Sequence, residues 1–124
     1  DRSLRGELGI AENTPLVVAL PGSRRGEIER LAPVFGEALG ALARRRPGLV
    51  AVLPAAEHAV DLVSEHAARW SLPVSVLDPR GRPFAEAEAR KLRAMAAADV
   101  ALAASGTVSL ELAAMRTPMV IGYR

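Results

Sequence analysis

The sequence predicts an open, Rossmann-like parallel α/β sheet of about five strands, ordered 3-2-1-4-5, with helices on both faces. Three observations predict it. Short runs of continuous apolar residues recur along the chain, and unbroken rather than alternating hydrophobicity marks a strand buried on both faces. Between them lie stretches whose apolar residues recur at spacings of three and four, as on one face of a helix. Strand and helix alternate strictly with short connections, the pattern of parallel strands joined by crossover helices.

The elements follow in order. Ser3 to Ile10 reads as a short helix stopped by Gly9, and Asn13-Thr14-Pro15 is a turn signal. Leu16-Val17-Val18-Ala19-Leu20 is the first strand, ending at Pro21-Gly22. Ile28, Leu31, Phe35, Leu39 and Leu42 then lay one apolar stripe along a helix that ends at Arg44-Arg45-Arg46-Pro47-Gly48. Pro33 inside that stretch predicts a kink or a fresh helix start. Leu49 to Leu53 is the second strand. Glu57 to Trp70 is a helix with Val60, Val63, Ala67 and Trp70 on its inner face. Val74 to Leu77 is the third strand, and Phe84 to Ala98 a helix on which Ala89, Leu92 and Ala96 align. Val100 to Ala104 is the fourth strand, Gly106 to Met115 the fourth main helix, and Pro118 to Gly122 the start of a fifth strand.

Composition bounds the function classes. The chain has 124 residues, which is one domain at about 150 residues each. Half of the residues are hydrophobic and only 3% aromatic, so the core is built from Ala, Val and Leu. Sixteen basic against fourteen acidic residues leave a net charge of +2, which gives little reason to expect nucleic-acid binding. There is no Cys, which excludes disulfide scaffolds, thiolate metal sites and Cys nucleophiles. No apolar run approaches the roughly 18 to 20 residues of a membrane-spanning helix. The chain starts Asp1-Arg2 without a Met and stops directly after an apolar run, and it reads as a piece of a longer protein.

Ligands of open α/β sheets bind outside the carboxyl ends of the strands, where strand order reverses. Two loops there have the composition of an anion site. In the first, Gly22 permits a tight turn, Ser23 offers a hydroxyl, and Arg24 offers a fork of donors suited to phosphate, ahead of a helix N-terminus. The other reading of this loop is a turn with an N-capping Ser23 and solvated arginines. It matches neither G-x-G-x-x-G nor the P-loop. In the second, Ser105-Gly106-Thr107 leads from strand into helix, with Glu111 one turn on, placed to accept hydrogen bonds from sugar hydroxyls. The alternative there is Thr107 as a plain cap and Glu111 as a complement to the helix dipole. The two loops follow the first and fourth strands, neighbours at the reversal point of the expected order. Together they predict a crevice for a nucleotide or other phosphorylated ligand without an obligatory metal.

Other candidates carry less. His58 and His66 are too far apart on their helix to share a metal and read as surface or packing residues. Asp78 and Asp99 lack the acidic partners after the first strand that a phosphoacceptor site needs. Ser105 has no His partner and no nucleophile elbow. Arg80-Gly81-Arg82 is a basic loop, read chiefly as solvated. Arg44-Arg45-Arg46 is read chiefly as a helix end, with an anionic membrane surface as the other contact.

Leu20-Pro21-Gly22-Ser23-Arg24-Arg25-Gly26-Glu27-Ile28 resembles the LPGSR signature of the lipid-A-disaccharide synthase family. Ala104-Ser105-Gly106-Thr107-Val108-Ser109-Leu110-Glu111, with Thr117-Pro118-Met119-Val120 after it, resembles that family's second signature. The resemblance runs from about Leu4 to Arg124. It implies one half of a two-domain GT-B glycosyltransferase, the C-terminal domain that holds the sugar nucleotide, with residues 1–124 as a single truncated domain. The implied reaction transfers 2,3-diacylglucosamine from UDP onto 2,3-diacylglucosamine 1-phosphate with inversion, in lipid A biosynthesis of Gram-negative bacteria. It needs no cofactor and no metal, and takes place in the cytoplasm at the inner membrane surface.

By that resemblance Gly22, Ser23, Arg24, Ser105, Gly106 and Thr107 face the donor diphosphate, Glu111 the ribose, and Arg24 stabilises charge in the transition state. The family's N-terminal acceptor domain and the segment after the fifth strand are absent, which implies an inactive isolated chain and leaves the catalytic base unassigned. Two other readings are open. One is a different GT-B protein using UDP-N-acetylglucosamine, of the peptidoglycan transferase or 2-epimerase type. The other is a non-catalytic module that binds a nucleotide or phosphate.

Overall fold

The computed structural model describes residues 2–104 and 118–122. It is a five-stranded sheet of β1 (Leu16–Leu20), β2 (Val50–Pro54), β3 (Val74–Leu77), β4 (Val100–Ala104) and β5 (Met119–Gly122), in the order β3-β2-β1-β4-β5. All four neighbouring pairs are parallel. The sheet therefore has the strand order and direction expected from the sequence. The helix expected over Gly106 to Met115 lies outside the described residues.

Burial explains the unbroken apolar runs. Every residue of β1 is buried. Leu16, Val18 and Leu20 join a cluster with Leu4, Ala94, Met95 and Ala97, contributed by α1 (Arg2–Leu8) and α4 (Phe84–Ala97). Val17 and Ala19 face the opposite way, into a cluster with Ile28, Ala32, Leu39, Val63 and Ala67 of α2 (Arg25–Arg45) and α3 (Val60–Ala67). The alternate side chains of one strand thus feed two separate cores.

Pro33 neither ends nor restarts α2, which runs as one helix of 21 residues. Pro33 is exposed, so the carbonyl of Glu29 that it leaves without an amide lies on the solvent side. The inner side of α2 is instead shaped by glycine. A Cβ at Gly36 would overlap the ring of Trp70, and Trp70 Nε1 donates to the carbonyl oxygen of Ala32 at 3.1 Å. Trp70 lies beyond the end of α3, which stops at Ala67 and is preceded by a 3-10 turn at Glu57–Ala59. The expected helix over 57 to 70 is therefore shorter and partly 3-10.

On α4 the expected inner face is corrected. Ala94, Met95 and Ala97 are buried, whereas Ala89 and Ala96 are exposed and Leu92 is only half-buried. Alanine occurs on every side of this helix, so small residues give no directional signal. The large apolar Met95, fully buried, turns its own face inward.

At the amino ends of the strands, Arg5 of α1 is buried and donates to the carbonyl oxygens of Ala11 and Thr14, both at 2.9 Å, and of Ala97 at 3.1 Å. Asp99 lies 3.6 Å from the guanidinium and accepts the backbone N–H of Leu16 at 2.9 Å. The helix α1 closes with Gly9 N–H on the carbonyl of Gly6 and Ile10 N–H on that of Arg5, the paired bonds of a Schellman end.

Two stability changes follow from this packing. Arg5→Met strands three carbonyl acceptors, and we expect a loss of about 3 kcal/mol by urea unfolding; an unchanged midpoint would contradict the tie. Gly36→Ala forces its methyl onto the Trp70 ring, with an expected loss of about 1–3 kcal/mol and a shift in tryptophan emission.

Candidate functional site

Where strand order reverses, β1 pairs with β4, with Leu20 opposite Ala103. The chain segments that follow Leu20 and Ala104 therefore leave from adjacent strand ends. Ser105, Gly106, Thr107 and Glu111 lie outside the described residues. The first loop is fully described. Pro21 is buried, and Gly22 turns the chain with φ +114°, a conformation that side-chain-bearing residues rarely adopt. A Cβ on Gly22 would also overlap the Glu27 side chain, which folds back from the first turn of α2. That carboxylate lies at a helix end that attracts negative charge.

The structure corrects the reading of Ser23 as the N-cap. Arg24 holds that position, in extended backbone at φ −90° and ψ 140°, and its side chain does not cap the helix. Its carbonyl accepts the N–H of Ile28 at 2.9 Å and so starts the helix. Ser23 is exposed, and its carbonyl accepts a hydrogen bond from His58 Nε2 at 2.7 Å. A carbonyl only accepts, so this nitrogen carries the proton. His58, read from the sequence as a surface or packing residue, thus joins the connection after β2 to the loop after β1.

Charge pairing separates the cations at this end of the sheet. Arg25 faces Glu29 at 3.7 Å. Arg80 donates from its backbone N–H and Nε to Asp78 Oδ1, from Nη2 to Oδ2 at 2.9 Å, and from Nη1 to Asp61 at 3.1 Å. Arg82 pairs with Glu86 at 2.8 Å. The 80–82 loop is exposed to solvent, as the sequence reading has it, and its guanidiniums are engaged with surface carboxylates rather than free for an anion. Arg24 has no side-chain partner among the described residues. An exposed, unpartnered guanidinium beside an uncapped helix start suits an incoming anion. Asp99 belongs to the opposite end of the sheet, on the N–H of Leu16. Among the described residues no group of three or more His, Asp or Glu is placed to hold a metal ion, and no helix is long and apolar enough to cross a membrane.

Similarity to known proteins agrees with the fold. The family model for lipid-A-disaccharide synthetase matches residues 1–124. The chain is 54% identical over 122 residues to the lipid-A-disaccharide synthase of Ruegeria pomeroyi, covering 98% of this chain and 30% of that protein. Against the same enzyme of Paramagnetospirillum magneticum it is 46% identical over 116 residues, covering 94% and 27%. The chain thus spans under a third of the length of these relatives. Among solved structures, a family 9 glycosyl transferase of Veillonella parvula aligns over 97% of this chain and 32% of its own with a TM-score of 0.74 at 12% identity. A UDP-GlcNAc 2-epimerase of Neisseria meningitidis, determined with UDP-GlcNAc, aligns over 97% and 31% with a TM-score of 0.70 at 15% identity. At such identities these two likenesses concern the fold.

The Asp78–Arg80 clamp predicts a pH response. The hydrogen bonds from Arg80 hold the Asp78 carboxyl below its ordinary value of 3.8. A depressed carboxyl pKa stabilises the fold above the ordinary value, and that contribution disappears as pH falls through the lowered one. A carbon-13 titration of Asp78 should give a midpoint below 3.8, moving up in Arg80→Met. A wild-type midpoint at or above the ordinary value would contradict the clamp.

Proposed function

The chain belongs to the lipid-A-disaccharide synthetase family, and on that premise we propose that it is the sugar-nucleotide-binding part of a glycosyltransferase of lipid A biosynthesis. The donor is UDP-2,3-diacylglucosamine, and the acceptor is 2,3-diacylglucosamine 1-phosphate. The other UDP-N-acetylglucosamine enzymes weighed from the sequence share the fold, but the family match over residues 1–124 favours this one.

The observation that carries the reading is the guanidinium of Arg24, exposed and without a side-chain partner among the described residues, at the start of α2. UDP is the leaving group in such a transfer. Negative charge grows on its β-phosphate as the glycosidic bond breaks, and a guanidinium and helix amides already in place stabilise that charge in the transition state more than in the ground state. Gly22 brings the backbone close to the phosphates, and His58 fixes the loop by its bond to Ser23. An anion approaching the helix start displaces the Glu27 carboxylate or passes beside it. Ser105, Gly106 and Thr107 complete the diphosphate site and Glu111 meets the ribose, from the strand end beside β1. The acceptor side, with the base that activates the acceptor hydroxyl, is supplied by another domain, and the whole enzyme works at the cytoplasmic face of the inner membrane.

UDP titrated into the chain should shift the amides of Gly22 to Arg24 and Ser105 to Glu111 saturably, with ADP weaker. Arg24→Ala should weaken UDP about 10- to 100-fold, as expected for a lost charge-assisted hydrogen bond. Equal response to both nucleotides, or an Arg24→Ala variant that binds as the wild type does, would defeat the assignment. A transferase assay on the 124 residues alone should show no turnover, and turnover would place the catalytic base within them.

A further inference from the structure

Among the described residues three carboxylates are half-buried: Glu27, Asp78 and Glu88. Asp78 is held by Arg80, and Glu88 lies 3.5 Å from Lys91. Glu27 has no hydrogen-bond or ion-pair partner among the described residues. A carboxylate partly withdrawn from water is costly unless donors are supplied to its oxygens.

Its place is built into the turn before α2. Glu27 stands three residues after the N-cap Arg24, where a capping box would set it on the N–H of that residue. No such bond forms. The side chain instead folds back over Gly22, into the space where any other residue would carry its Cβ. The positive end of the helix dipole makes a carboxylate tolerable there. It does not fill the lone pairs, of which a carboxylate offers about four.

Arg24 is the complementary case, an exposed guanidinium without a side-chain partner among the described residues. Opposite charges three residues apart meet when both lie on a helix. Here they do not, because the extended backbone of Arg24, at φ −90° and ψ 140°, leaves the helical path. The next cation, Arg25, goes to Glu29 at 3.7 Å. One loop therefore holds a cation and a carboxylate that leave each other unsatisfied. A bare phosphate meets Arg24 but is repelled by Glu27. A ligand with hydroxyl groups next to its phosphate satisfies both, since the carboxylate only accepts.

We propose that Glu27 is a specificity-determining residue of this site. Its carboxylate stays on Gly22 and accepts a hydrogen bond from a ligand hydroxyl, while the phosphate passes beside it onto Arg24. This rests on the sugar-nucleotide reading above, in which that hydroxyl belongs to the ribose or to the transferred sugar. The loop then discriminates against a diphosphate that carries no sugar.

Inorganic pyrophosphate, UDP and UDP-N-acetylglucosamine, titrated calorimetrically into the chain and into two Glu27 variants, test this. The wild type should prefer UDP-N-acetylglucosamine to pyrophosphate. Glu27→Ala removes the repulsion and the acceptor together. Pyrophosphate should then bind more tightly, and the preference should fall about tenfold, the worth of a hydrogen bond to a charged group. Glu27→Gln keeps an acceptor oxygen without the charge and should recover part of the preference. A loss already seen with UDP places the hydroxyl on the ribose, and a loss confined to UDP-N-acetylglucosamine places it on the sugar. Equal tightening of all three ligands in Glu27→Ala would overturn the proposal, leaving the carboxylate as a plug that only repels. Equal weakening of all three would overturn it as well, because a purely structural role does that. If Arg24→Ala binds as the wild type does while Glu27→Ala still loses the preference, Glu27 stands and the diphosphate contact assigned to Arg24 falls. A wild-type chain that binds none of the three would end both readings.

Discussion

A parallel sheet leaves backbone polar groups at the amino ends of its strands, where connections arrive from distant parts of the sequence. In this protein much of that requirement converges on the guanidinium of Arg5. It donates to carbonyls before β1 and at the end of α4, and the carboxylate beside it, Asp99, receives the first amide of β1. Arg5 is buried and Asp99 exposed, so the cation is satisfied mainly by neutral carbonyls, with the ion pair a lesser contribution. Because the group spans α1, β1, α4 and the entry to β4, it fixes β1 beside β4. The crevice at the other end of the sheet exists only because those two strands are neighbours.

The near absence of aromatic residues shapes the rest of the packing. With alanine, valine and leucine filling most of the interior, shape must come from a few larger groups. Trp70 is one, seated on Gly36 and anchored through its indole N–H. Phe35 is another, packed with Leu31 against Ala104 at the carboxyl end of β4. The helix α2 thereby spans both strands of the reversal point and presents its first turn, with Arg24, above them.

The strands and their order were legible because burial on both faces leaves unbroken apolar runs, and alternation with helices leaves few topologies. What escaped depends on pairs distant in sequence or on residues without direction. Nothing local marks His58 as the partner of Ser23, or Asp61 as a partner of Arg80. The face of α4 was misread because its alanines point everywhere and one methionine decides. Ser23 has the composition of a cap, but the turn at Gly22 carries the chain one residue further before the helix begins. Gly22 was legible as a tight turn, and its φ of +114° shows one, whereas the residue types beside it suit an anion site and a plain turn with solvated arginines alike. Phe84 was read only as the beginning of a helix, since exposure is not written in a residue's type.

The strand pairing that creates the crevice also sets an order of events during synthesis. Val17 of β1 ends up beside Val100 of β4, and at ordinary rates of translation on the order of ten seconds separate their appearance. During that interval β1 can pair with β2, and β2 with β3, but one edge of the most apolar strand stays open. Such an edge is a template for the wrong neighbour. A nascent chain of this protein is therefore most exposed to misassembly just before β4 emerges, and the small-residue strand Val100–Ala104 is the piece that ends that exposure.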